Sequence, residues 1–152
     1  MGIKLITNNR KAFHEYEVSD KYEAGLVLTG TEVKSARAGK VNLSEGWVEI
    51  DDNGEAFLRE THIAKYSHGT YMNHEETRPR KLLLSRKELV KLAEQTAEKG
   101  LTVVPLKMYF KDQFIKVEIG VARGKKLHDK RDSAAAREAN RDIARAMRSR
   151  GR

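Results

Sequence analysis

The stretch LTVVPLKMYFKDQFIKVEIGVARGKKLHDKR, residues 101–131, decides how this chain folds. It opens with two runs rich in β-branched and aromatic residues, which predict a hairpin of two antiparallel strands, and it ends in a dense basic segment. Because successive strand residues point to opposite faces of a sheet, the hairpin has one apolar face and one cationic face. We predict that the apolar face holds Val104, Leu106, Met108, Phe110, Ile115, Val117, Ile119 and Val121. We predict that the cationic face holds Lys107, Tyr109, Lys111, Phe114, Lys116 and Glu118.

The cationic face of the hairpin allows two interpretations. Lysines beside aromatic rings can bind phosphates while the rings stack on bases, as on surfaces that bind single-stranded nucleic acid. Lysines on a solvent-facing strand can equally serve only to keep the sheet soluble. The hairpin alone does not choose between these interpretations.

The length and the composition limit the class of protein. A chain of 152 residues predicts one domain with an appendage, and it is long enough to bury a core. The absence of cysteine excludes disulfides and thiolate metal sites, and no run is long enough to span a membrane. Because no secretion signal is recognisable, we expect a cytoplasmic protein without a membrane partner, a metal or a cofactor.

The formal charge of +8 is concentrated near the C-terminus. Residues 1–122 contain 19 basic and 18 acidic residues, a net charge of +1. Residues 123–152 contain 11 basic and 4 acidic residues, a net charge of +7. Arg and Lys gain affinity for phosphates because binding releases counterions. The asymmetry therefore indicates a folded module with a nucleic-acid-directed arm. We predict an RNA-binding barrel domain, residues 1–128, followed by a basic tail, residues 129–152. The tail lacks the bulky apolar face that insertion into a membrane surface needs.

Capping signals predict the helices of the body, and a turn signal predicts a second hairpin. Thr29 precedes Glu32 by three residues, and Ser85 precedes Glu88 by three residues, so each pair forms a capping box at a helix start. On the first of these helices, Lys34 and Arg37 share a face that either contacts phosphates or is merely solvated. Asn53-Gly54, between two strand-like runs, predicts a type I′ turn with positive φ at both residues.

The segment 62–81 is polar, irregular and long for a loop. Its three histidines are six residues apart, which fits no metal-ligand spacing, so we expect no metal there: His62, His68 and His74. A basic cluster follows two upstream tyrosines and could clamp exposed nucleotides: Arg78, Arg80 and Lys81, with Tyr66 and Tyr71.

The tail has high helix propensity because it is rich in Ala and Arg. On a helix, one side would carry Arg137, Arg141, Arg145 and Arg148, and the opposite side little more than Ile143, Met147 and alanines. This apolar side is too small to hold the tail against the body. We therefore expect the tail to be disordered when free and helical when phosphates neutralise its arginines.

About six short strands, a helix before the last hairpin and no βαβ alternation predict a mainly β fold with accessory helices. The expected architecture is a closed antiparallel six-stranded barrel of the oligonucleotide-binding type. Composition and spacing lead no further than an RNA- or DNA-binding barrel with a basic tail.

Five strings in this order resemble the small protein B family, the SsrA-binding proteins that partner transfer-messenger RNA. They are NRKAFHEYEV (9–18), YEAGLVLTGTEVKSARAG (22–39), RPRKLLLSRKEL (78–89), GLTVVPLKMYFK (100–111) and VARGKKLHDKR (121–131). The resemblance implies an adaptor without catalytic residues that binds the tRNA-like domain of transfer-messenger RNA and delivers it to stalled ribosomes. The implied partners are transfer-messenger RNA and the small-subunit decoding centre and mRNA channel, with elongation factor Tu and alanyl-tRNA synthetase reached indirectly through the RNA.

The resemblance and the charge pattern together give the candidate site residues. The family motifs assign RNA contact to Asn9, Arg10 and Glu23 and decoding-site engagement to His128, Asp129, Lys130 and Arg131. The other body candidates for RNA contact are Lys11, Lys34, Arg37, Arg78, Arg80, Lys81, Lys107, Tyr109 and Lys111. The other tail candidates for ribosome engagement are Lys125, Lys126, Arg137, Arg141 and Arg145.

Six residues at four sites depart from the family pattern: Ser85, Glu76, Gly46-Trp47 and Asp112-Gln113, the last pair lacking a glycine that is common in that turn. Ser85 puts one side-chain contact to RNA in doubt, and the others should alter loops only. Two other functions stay open on the residues alone. One is a nuclease or RNA-modifying enzyme that uses His14 with Glu15, or the histidines of the polar segment, as acid and base. Against it, His14 and Glu15 as neighbours in a strand would point to opposite faces. The other is a structural ribosomal protein whose tail threads through rRNA.

Overall fold

The computed structural model describes residues 2–66, 73–98, 100–125, 141–143 and 145–147. Three helices are seen in the body: α1 (Arg10–Glu15), α2 (Gly30–Arg37) and α3 (Arg86–Thr96). The first strands are β1 (Ile3–Asn8), β2 (Tyr16–Leu26), β3 (Val41–Asn42), β4 (Trp47–Ile50) and β5 (Ala56–Arg59). The remaining strands are β6 (His62–Ile63), β7 (Arg80–Leu83), β8 (Leu101–Lys111) and β9 (Phe114–Gly124).

Seven strands form one antiparallel sheet in the order β1-β8-β9-β2-β7-β5-β4, and β3 pairs with β6 apart from it. The sheet curls so that β4 approaches β8, but among the described strands no ladder joins the edge strands β1 and β4. The mainly β fold with few helices is confirmed. The closed six-stranded barrel is not confirmed, because the main sheet has seven strands and two edges.

The hairpin of β8 and β9 forms as predicted, but the faces of β8 are not those expected. The register shifts between Pro105 and Lys107, so Leu106 is an extra residue in β8. Such a bulge reverses the alternation on one side of it. Val104 and Leu106 therefore belong to a second cluster with Ala12 of α1, whereas Val103, Met108 and Phe110 enter the main core. The β9 residues expected on the apolar face all lie in that core: Ile115, Val117, Ile119 and Val121.

Both capping boxes are present, at Thr29 with Glu32 and at Ser85 with Glu88. The sequence interpretation missed α1, which begins where the Asn9 side chain accepts a hydrogen bond from the Ala12 amide. His14 and Glu15 therefore lie on a helix and not on a strand.

The β4–β5 hairpin is present, but its turn is not the predicted type I′ turn. Among the residues of this turn, positive φ occurs at Gly54 alone. The Asp51 carboxylate accepts bonds from the amides of Asn53 and Glu55 and holds a longer, five-residue loop. In the β8–β9 turn Asp112, at φ 56°, takes the left-handed conformation for which a glycine is common.

Two described parts of the tail, 141–143 and 145–147, are helical. Met147 is 7% exposed and belongs to the main core cluster, with Ile143 packed against that cluster. This differs from the expectation that the apolar side of the tail is too small for contact with the body. Gly54 explains part of the difference, because it has no side chain and leaves room for Met147. An added Cβ at Gly54 would lie 2.9 Å from Met147 Cε, which is too close. The tail candidates Lys126, His128, Asp129, Lys130, Arg131 and Arg137 lie outside the described residues.

Candidate nucleic-acid interface

One face of the β1-β8-β9-β2-β7 part of the sheet points away from the main core, and we call it the outer face. Residues directly opposite each other in neighbouring strands share a face. One row across the outer face runs from Leu5 through Tyr109, Lys116 and Gly25 to Leu83. A second row joins Ile3, Lys111 and Phe114, and a third joins Lys107, Glu118 and Glu23.

The outer face combines cations with exposed apolar side chains. Phe114 is 69% exposed, and Leu83 is 54% exposed. Gly25 of β2 leaves a notch beside Leu83 of β7, since an added Cβ at Gly25 would lie 3.2 Å from Leu83 Cβ. An exposed ring with lysines around it can stack on a base while the lysines contact phosphates.

A hydrogen-bonded group at the centre of the outer face fixes the orientation of Glu23. The Tyr109 hydroxyl donates to one carboxylate oxygen of Glu23, and Lys111 Nζ lies 3.2 Å from the other. The Tyr109 bond, with the nearby lysines, holds the pKa of Glu23 below its usual value. Burial and the Glu23 carboxylate raise the pKa of Tyr109. Glu23 is therefore an anionic acceptor, suited to bind sugar hydroxyls or base amino groups.

Two lysines of the outer face, Lys107 and Lys111, form weak ion pairs, and Lys107 Nζ also lies 5.6 Å from the centre of the Tyr109 ring. Lys107 Nζ lies 3.8 Å from Glu118, and both lysine side chains, Lys107 and Lys111, are nearly half exposed. Exposed pairs of this kind contribute about 0–1 kcal/mol, so a phosphate can displace them. Lys81 extends the outer face, because it lies two residues before Leu83 on β7; its ammonium is 3.4 Å from Glu55.

The structure corrects the RNA-contact prediction for Arg80. Its side chain has no solvent exposure, and Nε donates to Glu32 at 2.7 Å. Its other nitrogens donate to the backbone carbonyls of Thr61, Glu75 and Glu76. Arg78 also donates to Glu32, from a side chain that is 29% exposed. Arg80 is a buried structural residue, and a spacing argument could not separate it from a surface cation.

Asn9 and Tyr109 are also less accessible than predicted. Asn9 is 3% exposed, and its amide nitrogen donates to the carbonyls of Leu43 and Pro105 while its oxygen caps α1. These bonds join the bulge of β8 to the loop before β4. Tyr109 is 3% exposed, so its ring offers no face for stacking, although its hydroxyl orients Glu23.

The remaining described candidates lie off the outer face. Arg10 and Lys11 are on α1, where Lys11 contacts Glu45 at 2.5 Å. On α2, Lys34 lies over the Tyr66 ring and Arg37 over the Phe110 ring. Lys125 donates from its side chain to the Phe13 carbonyl, Arg141 donates to the Ala97 carbonyl, and Arg145 is exposed beside Asp142.

The predicted contacts did not include several residues of the outer face, among them Leu83, Phe114 and Lys116. Lys116 and Phe114 were placed on the cationic face of the hairpin, so the alternation pattern could have identified them. Leu83 could not be found in this way, because nothing in the run Leu82-Leu83-Leu84 indicates which leucine is exposed. Its position opposite Gly25 comes only from the pairing of β2 with β7.

His62 and His74, the two described histidines of the polar segment, have ordinary structural partners. His74 is buried, with Nδ1 2.8 Å from the Thr31 hydroxyl and Nε2 2.9 Å from the Ile63 carbonyl. His62 pairs with Glu76. Within the described part of the chain no cluster of three His, Asp or Glu side chains could hold a metal ion. None of the described helices is long and apolar enough to span a membrane.

The curled antiparallel sheet and its lysine-rich outer face define a class, the small β-sheet modules with a surface suited to nucleic acid. Residues 6–149 match the model of the SmpB protein family, so the chain belongs to the SmpB family. It is 52% identical to the SsrA-binding protein of Carboxydothermus hydrogenoformans, covering 97% of this chain and 98% of the relative. It is 58% identical to the SsrA-binding protein of Gloeothece citriformis, and the match covers 95% of this chain and 93% of that relative.

A solved structure extends the likeness to three dimensions. Its chain, described as "tmRNA-SmpB: a journey to the center of the bacterial ribosome", superposes with a TM-score of 0.69 at 45% identity. The superposition covers 91% of this chain and 95% of the solved chain.

Proposed function

We propose that this chain is an RNA-binding adaptor of trans-translation. It binds the tRNA-like domain of transfer-messenger RNA and brings that RNA to stalled ribosomes, where the tail engages the empty decoding site and mRNA channel. The observation that carries the proposal is the 45% identical solved chain, which is described with tmRNA and the bacterial ribosome. The outer face supplies the lysines and the exposed ring that RNA binding requires.

The contacts within the body favour the outer face as the RNA-binding surface. Glu23, Lys107 and Lys111 converge there, whereas Arg80 and Asn9 support the fold from inside. The groups of the outer face bind and position RNA, and the protein acts without catalysis of its own. It acts in the cytoplasm. Elongation factor Tu and alanyl-tRNA synthetase are indirect partners through the RNA. We assign the sheet as an open form of the oligonucleotide-binding barrel. The approach of β4 to β8 supports this assignment.

The test is to purify the tagged full chain from a bacterial host and sequence the RNA that accompanies it. The expected result is enrichment of one small RNA, transfer-messenger RNA. A variant with Lys107→Ala and Lys111→Ala should lose most of this enrichment, and a variant with Lys40→Ala, an exposed lysine after α2, should keep it. An enzyme would carry no stable RNA, and a structural ribosomal protein would remain on salt-washed subunits. Either result would contradict the proposal.

A further inference from the structure

Glu23 is an anion near the centre of the lysine-rich outer face, and its carboxylate is open to solvent. The side chain is 38% exposed. A carboxylate repels the phosphates that the surrounding lysines attract, so it weakens a surface that binds nucleic acid through phosphates alone. A fixed carboxylate on such a surface is suited instead to the hydrogen-bond donors of a base or a sugar.

The Glu23 carboxylate keeps unused acceptor capacity. A carboxylate can accept about four hydrogen bonds. Oε2 accepts one bond from the Tyr109 hydroxyl, and Lys111 Nζ lies 3.2 Å from Oε1 and 3.4 Å from Oε2. The Lys111 side chain is 49% exposed, so its ammonium can turn towards a phosphate. Each carboxylate oxygen can then accept a bond from a ligand on the solvent side.

An apolar surface lies beside this carboxylate. Gly25 and Val27 follow Glu23 at intervals of two residues, so they share its face of the sheet. Leu83 of β7 leans over Gly25, since an added Cβ at Gly25 would lie 3.2 Å from Leu83 Cβ. Val27 and Leu83 are 46% and 54% exposed. The flat face of a base can pack on this surface while one edge of the base meets Glu23.

The donor pattern of the four RNA bases favours guanine at this position. The Watson–Crick edge of guanine carries two adjacent donors, N1–H and N2–H, which match the two oxygens of a carboxylate. Adenine and cytosine place an acceptor beside their amino group, and uracil places its single N–H between two acceptors. In a duplex this edge of guanine is occupied by cytosine, so only an unpaired guanine can present it.

We propose that the outer face selects one unpaired guanine of its RNA, whose N1–H and N2–H donate to the Glu23 carboxylate. Tyr109 is the positioning residue, because its hydroxyl holds one oxygen of that carboxylate. Lys111 and Lys116 flank the guanine site and are available to the neighbouring phosphates. This inference rests on the proposed function, since it requires RNA on the outer face.

The groups around Glu23 keep it in its accepting form. The Tyr109 bond, with Lys111 of β8 and Lys116 of β9, holds the pKa of Glu23 below its usual value against the effect of burial. Glu118, directly opposite on β9, is itself paired with a lysine. Burial and the Glu23 carboxylate raise the pKa of Tyr109, so its hydroxyl keeps the proton that it donates. Tyr109→Phe should therefore raise the pKa of Glu23, which an NMR titration of the carboxyl carbon measures.

Chemical probing of the bound RNA tests the guanine contact. Kethoxal modifies unpaired guanines at N1 and N2, the two atoms that would donate to Glu23. When the tRNA-like domain of transfer-messenger RNA is saturated with the full chain, one unpaired guanine should lose its reactivity. The same guanine should stay reactive in RNA saturated with Glu23→Gln. Glu17→Gln, which removes an exposed carboxylate near the start of β2, should protect the guanine as the parent does.

Inosine at the protected position measures the contribution of the 2-amino group. Inosine keeps N1–H but lacks N2, so the parent should bind the inosine RNA at least about fivefold more weakly than the guanine RNA. The penalty should fall below about twofold in Glu23→Gln and in Tyr109→Phe. It should persist in Tyr22→Phe, the matched control, because the Tyr22 hydroxyl bonds Gln95 and its ring packs against the main core.

A parent complex in which every unpaired guanine stays reactive would overturn the guanine contact, and so would an inosine penalty that survives in Glu23→Gln. Weaker binding with 2′-deoxyguanosine but not with inosine would mean that Glu23 contacts the sugar, and this result also contradicts the proposal. An unchanged penalty and an unchanged Glu23 pKa in Tyr109→Phe would remove only the positioning role. Failure of the parent to bind the RNA would instead overturn the proposed function.

Discussion

Arg80 Nε lies 2.7 Å from a carboxylate oxygen of Glu32, and neither side chain has any solvent exposure. Glu32 comes from α2 and Arg80 from β7, so their ion pair ties a helix to the sheet inside the protein. The Arg80 guanidinium also satisfies three backbone carbonyls between positions 61 and 76. A buried pair of this kind holds an irregular loop in place, and loss of one partner leaves a buried charge unpaired.

Arg80→Ala should lower the free energy of unfolding by about 3–5 kcal/mol, because the Glu32 charge loses its fully buried partner. Arg78→Ala is the matched control, since the Arg78 side chain also bonds Glu32 but is 29% exposed; we expect a loss of about 1–2 kcal/mol. Urea denaturation measures both values. Equal losses in the two variants would contradict the larger contribution that we expect from the fully buried Arg80.

Acid should destabilise the protein partly through Glu32. Burial raises the pKa of Glu32, but bonds from Arg78, the Thr29 amide and Arg80 outweigh burial and hold the pKa below its usual value. A carboxyl group with a lowered folded-state pKa adds stability above its unfolded pKa of about 4.3 and loses it as the pH falls through the folded-state pKa.

The free energy of unfolding of the parent should therefore fall more steeply below about pH 4.3 than that of Glu32→Gln, which has no charge to lose. Denaturation curves recorded at a series of acidic pH values give the two slopes. If the slopes are parallel, Glu32 does not have a lowered pKa in the folded protein.

Asn9→Ala should reduce stability by about 1–3 kcal/mol, because it removes the cap of α1 and leaves the buried carbonyls of Leu43 and Pro105 without their donor. Asn8→Ala, at the exposed neighbouring position, should stay within about 0.5 kcal/mol of the parent. At a temperature where Asn9→Ala is fully folded, its RNA affinity should stay within about threefold of the parent, about 0.7 kcal/mol. A larger loss in the folded variant would restore Asn9 as an RNA contact.

Lysines of the outer face should contribute to RNA binding through phosphates. Lys107→Ala and Lys111→Ala should each weaken binding of the tRNA-like RNA and reduce the slope of log affinity against log salt by roughly one. Lys40→Ala, which lies off this face, should leave the slope unchanged. Filter binding over a range of salt concentrations gives the slopes. An unchanged slope in both outer-face variants would place the RNA elsewhere.

The segment His128, Asp129, Lys130 and Arg131 should act on the ribosome and not in RNA capture. His128→Ala, or replacement of the other three by Ala together, should leave transfer-messenger RNA binding within about threefold, about 0.7 kcal/mol. Tagging on stalled ribosomes should fall strongly, because an imidazole that can stack and two cations that can bridge phosphates are lost. Parallel losses in binding and tagging would assign the segment to the RNA-binding surface, and normal tagging would make it a linker.

The sequence by itself determined the elements that depend on local chemistry. The capping boxes at Thr29 and Ser85 and the alternation along β9 each identified an element that the structure contains. Local hydrogen bonding and side-chain periodicity are sufficient for such elements, because both act over a few residues. The family was also accessible from sequence, since its strings lie in order along most of the chain.

Only the tertiary structure decided which side chains are buried. Arg78, Arg80 and Lys81 look alike in sequence, yet Arg80 is sealed against Glu32, a residue 48 positions away. The bulge at Leu106 likewise reversed the faces of β8, and the adjacent carbonyl of Pro105 accepts a hydrogen bond from Asn9 of the distant N-terminal segment. Such outcomes depend on partners far apart in the chain, and the free energy of a buried charge or a bulge is set by those partners and not by the local pattern.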